Sequence, residues 1–148
     1  MGDYDLLLRG PRLSNSGAFV KKKDLVYVLL LLIAAMTALT GVVVSITPRT
    51  ILRLLSAEST ITARYFFGIV GMFMFLFGGA TLHALLSFKH HPVVILWSSL
   101  QKFGASVAVG LGVQRGVFAS LALIVAVIDF LSGVIAFWYW RRIRHQDP

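Results

Sequence analysis

Four long apolar runs, separated by short polar segments, set the pattern of the chain. They cover about residues 25–47, 63–88, 92–113 and 117–140. Each is long enough to match the roughly 20 helical residues that cross a hydrocarbon core about 30 Å thick. The pattern predicts an all-α protein, an integral membrane four-helix bundle over 25–142. A polar tail of residues 1–24 precedes it and a tail of 143–148 follows. The punctuation agrees with helices. Asp24 can cap the first span, Pro48 ends it, and Pro92 suits the first turn of the third. The tight turn Gln114-Arg115-Gly116 makes the third and fourth spans antiparallel neighbours. After Pro48, Ile51, Leu54 and Leu55 alternate with Arg49, Arg53 and Ser56. That spacing predicts a short amphipathic helix lying in the membrane interface.

Composition sharpens the class. Hydrophobic residues make up 57% of the 148, charged residues 14%, and mean hydropathy is +0.83. Cysteine is absent, which excludes disulfides, thiolate nucleophiles and cysteine-ligated metals. The net charge of +8 would suit nucleic acid if it were spread over one face. Instead it flanks the apolar runs, as topology determinants do, and no nucleic-acid partner is expected. One side of the predicted bundle carries Arg9, Arg12, Lys21, Lys22, Lys23, Lys89, Arg141, Arg142 and Arg144, nine in all. The other carries four: Arg49, Arg53, Arg64 and Arg115. Positive-inside bias therefore predicts a multi-pass protein of the cell inner membrane with both termini cytoplasmic. The aromatic run Phe137-Trp138-Tyr139-Trp140, backed by Arg141 and Arg142, marks a membrane boundary. Arg64 opens the second span, where a long cationic side chain ordinarily reaches the headgroups.

Two ionisable residues interrupt the apolar runs near their centres, Lys102 in the third and Asp129 in the fourth. Each would cost about 2.5–3.5 kcal/mol on an insertion scale if left alone. Antiparallel neighbours place them at similar depth, so an intramembrane polar pair is expected, with Ser99 and Ser106 as supporting polar groups. The pair reads first as a salt bridge that fixes the register of the two helices, and alternatively as part of a proton relay or solute contact. No second acid lies in the spans to continue a relay. His83, in the second span, reads as a hydrogen-bonded interface histidine. The alternative is a ligand to haem or chlorophyll, with Gly79 one turn earlier leaving room for a flat macrocycle. No second membrane-embedded histidine would complete a bis-histidine haem, and no cofactor or metal is expected. Small residues predict the helix-packing faces: Gly68 and Gly79 in the second span, Gly104, Ala108 and Gly112 in the third, and Ala122, Ala126 and Gly133 in the fourth.

The segments Arg64-Tyr65-Phe66-Phe67-Gly68, Gln101-Lys102 and Asp129-Phe130-Leu131-Ser132-Gly133 occur in an order that resembles the DoxX-like group of small four-helix bacterial membrane proteins. That resemblance covers about residues 25–142 and implies the same fold. It also implies an association with respiratory or redox membranes. No nucleophile with a positioned base, phosphate-binding glycine loop or paired carboxylates can be found, so the chain is not expected to be an enzyme. The expectation is a non-catalytic accessory subunit of a larger inner-membrane complex, respiratory or photosynthetic, with the lipid bilayer and other membrane subunits as partners. The alternative is a small transporter or proton-conducting protein that uses Lys102 and Asp129.

Overall fold

The computed structural model describes residues 25–87 and 91–144. Among them are five helices and no strand: α1 (Leu25–Ile46), α2 (Pro48–Leu54), α3 (Ile61–Leu86), α4 (Pro92–Gln114) and α5 (Ala122–Ile143). All but α2 are long and apolar enough to cross a membrane. The expected tail 1–24, residues 145–148 of the expected tail 143–148, and Phe88, Lys89 and His90 lie outside the described residues.

The four long helices form two antiparallel hairpins. In the first, α1 packs along α3 with their backbones nearly touching. A Cβ placed on Gly41 would come within 2.3 Å of the Phe75 nitrogen, one on Gly71 within 2.5 Å of the Ser45 nitrogen, and one on Gly78 within 2.5 Å of the Ala38 nitrogen. Where lipid is as apolar as leucine, close backbone approach is what gives helices their dispersion contacts. The hydroxyl of Ser45 adds a hydrogen bond to the Gly68 carbonyl at 3.1 Å. In the second hairpin α4 packs on α5, which buries Ala122, Ala126, Ser132, Gly133, Ala136, Tyr139 and Ile143.

The hairpins meet most fully at the end where α1 and α4 begin and α3 and α5 finish. Leu30, Leu85, Ile95, Tyr139 and Ile143 form the core there, and the Tyr27 hydroxyl donates to the Leu85 carbonyl at 3.0 Å. Tyr139 thus turns inward from the expected aromatic belt, while Trp138 stays exposed. Trp140 stacks on Phe137 and carries the Arg144 guanidinium over its ring. At the far end the two connectors are joined by the Ala119 N–H donating to the Leu55 carbonyl at 3.0 Å.

Both connectors leave their helices through the same device. After α4, Gly116 adopts φ +72° and donates to the Val113 carbonyl, while the Val117 N–H reaches the Gly112 carbonyl at 2.8 Å. This is a Schellman cap, and it needs a left-handed residue. After α2 the same pair of bonds runs from Ser56 to Arg53 and from Ala57 to Leu52, with Ser56 at φ 53°. The fourth span differs from expectation at its start. Residues 117–121, apolar but for Ser120, lie in the connector, because the Schellman cap redirects the chain and α5 begins only at Ala122.

Candidate functional site

The midpoint of α4 is at Phe103, next to Lys102, and α5 faces it in the opposite direction. The antiparallel register brings the Lys102 Nζ to 2.6 Å from Asp129 Oδ1, with both side chains only slightly exposed. A charge-assisted hydrogen bond of this length neutralises two groups that hydrocarbon would otherwise penalise heavily. The other Asp129 oxygen has no hydrogen-bond partner among the described residues.

The supporting polar groups differ from expectation. Ser99, fully buried, donates not to the pair but to the Gly133 carbonyl on α5 at 3.0 Å. Gly133 also makes room for the Phe103 ring, since a Cβ there would sit 2.9 Å from the ring. Ser99 and Gly133 therefore lock the hairpin one turn away from the ion pair. Ser106 is half-buried and makes no hydrogen bond to Lys102.

A second group of hydroxyls, not singled out from the residue pattern, joins the two hairpins. Thr81 on α3 and Ser98 on α4 form a short buried hydrogen bond. Each also points at its own helix carbonyl, Phe77 and Val94 respectively. With one proton per hydroxyl, one must donate across the interface and the other back to its helix. Thr37 and Ser132 return their protons to the carbonyls of Ile33 and Ile128. These four hydroxyls, with Gln101 and Lys102, border a small, partly open and mainly apolar pocket of about 20 Å³ that Leu30, Ile33, Phe77 and Ala136 also line. The signal of these hydroxyls in the sequence is a serine or threonine inside the apolar run of each of the four long helices.

Beside the ion pair, a cleft of about 390 Å³ opens between α1 and α5. Leu32, Met36, Met74, Val125 and Ile128 form its apolar walls, with Thr37, Thr40, Lys102 and Asp129 as polar points. The ion pair is thus at the wall of a lateral opening rather than sealed in a core.

The remaining predicted positions divide in two. Ala122, Ala126 and Gly133 are buried on α5, and Gly68 passes Ser45 of α1 at ordinary contact distance. Gly112 makes room for the Phe118 ring of the connector, not for a helix. Gly79 and Gly104, expected on packing faces within the bundle, instead look into open space: a Cβ on either would meet nothing within 4 Å. The physical reason lies in α3 and α4, whose glycines occur on more than one face. α1 engages Gly71 and Gly78, which leaves the Gly79 face outward. Ala108 is exposed beside Gly104, and His83 is exposed on the outer face of α3. No cluster of three metal-ligating side chains occurs among the described residues.

Comparison with protein-family models, curated proteins and solved structures gives no match to this chain.

Proposed function

We propose that the protein is a non-catalytic accessory subunit of a larger inner-membrane complex, with both termini on the cytoplasmic side. The observation that carries this reading is the outward α4 face. Gly104 and the exposed Ala108 lie there among the exposed Trp97, Leu100, Val107 and Leu111, and a Cβ on Gly104 would meet nothing within 4 Å. A helix-interior glycine on an unpacked face sacrifices about 1 kcal/mol relative to alanine. A helix of another membrane subunit seated against Gly104 would offset that loss through close approach. The DoxX-like resemblance, with its redox membranes, agrees with such a setting. Isolation in mild detergent tests it: the protein should co-purify with another membrane subunit, and Gly104→Ile should release it while the fold persists. A lone monomer from native membranes would overturn the proposal.

The cleft at Lys102 and Asp129 favours a second reading, a small transporter or proton-conducting protein. Under that reading, replacing the pair by Leu and Met abolishes flux in proteoliposomes; under the first, flux is absent from the start. Haem or chlorophyll at the exposed His83 is a third reading, and an absorption spectrum with and without His83→Ala decides it.

A further inference from the structure

A broad, open groove of about 730 Å³ lies away from the ion pair, on the surface formed by the end of α1, Pro48 of α2 and the first half of α3. Its walls are Val42, Ile46, Ile69, Met72 and Phe75, and Arg64 stands at its rim. Gly68 and Ser45 line it too, and the Ser45 hydroxyl already donates to the Gly68 carbonyl, so this polar group is satisfied and suited to hydrocarbon. A Cβ on Gly68 would meet only Ser45, at 3.7 Å. The backbone packing does not demand glycine here; its missing side chain leaves the groove open.

Arg64 is held in a defined way. Its Nε donates to the Ser59 carbonyl at 2.9 Å and is 3.1 Å from the Ser59 hydroxyl. The Nη atoms have no partner among the described residues. Anchoring through Nε turns the two-nitrogen edge of the guanidinium outward, the edge that binds an oxyanion in bidentate fashion. The depth is also right. The 26 residues of α3 span about 39 Å, so its ends overhang a 30 Å hydrocarbon core by about 4–5 Å. Arg64, in the first turn, stands at the boundary between headgroups and chains. From Arg64 to Phe75 the groove follows α3 for about 16 Å, roughly the thickness of one hydrocarbon leaflet.

We infer that this groove is a binding site for one glycerophospholipid of the leaflet opposite the termini. Its phosphodiester engages the Nη edge of Arg64, and one acyl chain lies over Gly68 between α1 and α3. Cation and phosphate meet at headgroup depth, and the apolar channel begins where an ester-linked chain would enter. The inference is independent of the accessory role, since it uses neither the α4 face nor a partner protein.

Native mass spectrometry of the detergent-purified protein, titrated with phosphatidylglycerol, tests this. One phospholipid should be retained per chain, whereas diacylglycerol with the same chains and free glycerol 3-phosphate should not be. Arg64→Gln should lower retention about tenfold or more, as loss of a bidentate charged contact does. Gly68→Leu should do the same by filling the groove with the charge intact. Arg53→Gln removes an exposed charge that does not line the groove and should leave retention unchanged. Equal retention of diacylglycerol, wild-type retention in either groove variant, or an equal loss in Arg53→Gln overturns the inference. If Arg64→Gln fails to fold by circular dichroism, Gly68→Leu, which removes no contact of Arg64 or Ser59, decides alone.

Discussion

At the scale of single residues, the Lys102–Asp129 contact dominates because its two halves are tolerable only together. Asp129→Leu leaves an ammonium beside apolar walls and should lower stability by about 3 kcal/mol. The double replacement Lys102→Met with Asp129→Leu should recover most of that loss, since both charges are gone. Unfolding of the purified variants by SDS titration measures the difference; a double variant as unstable as the single one would contradict it. A smaller effect is expected at Ser56, which holds a left-handed conformation that glycine adopts freely. Ser56→Gly should stabilise the protein by about 1 kcal/mol in the same assay.

At the scale of elements, two kinds of helical glycine should behave in opposite ways. Gly41→Ala forces a methyl group against the α3 backbone and should cost about 1–3 kcal/mol. Gly104→Ala enters open space and should stabilise the isolated protein by up to about 1 kcal/mol through helix propensity. Thermal melting of the two variants side by side checks the contrast. The same glycines show where the sequence is legible and where it is not. Run lengths, prolines and the depths of Lys102 and Asp129 place the helices and the ion pair, because a charge in a long apolar run admits few partners. Facing is harder. In lipid both sides of a helix are apolar, so the period that marks a buried face in water is nearly flat, and Gly68 and Gly79 cannot be told from Gly71 and Gly78 by spacing alone. Residues 117–121 mislead for a related reason: being apolar does not make them helical when a glycine cap has just turned the chain.

At the scale of the whole molecule, the two hairpins touch through the core at the terminal end, the Thr81–Ser98 contact and the connector bond from Ala119 to Leu55. The cleft between α1 and α5 is what this economy of contact leaves. The native chain has no cysteine, so single cysteines can report its orientation directly. Under the positive-inside assignment, a cysteine at the exposed Ser120 should react with an impermeant reagent applied outside intact cells. One at Ser14 should react only after the cells are opened. The reverse pattern would invert the proposed topology.

The ion pair also carries a consequence for how the chain enters the bilayer. Of the four long helices α4 has the least hydropathic 18-residue stretch, averaging 1.3, and it holds a lysine next to its midpoint. Emerging alone from the insertion machinery, α4 is a marginal client. Its counter-charge arrives only with α5, whose first residue follows the last of α4 after a connector of residues 115–121. Integration of the third span should therefore be more efficient with the fourth attached than without it, which an insertion assay on chains ending before and after α5 would measure.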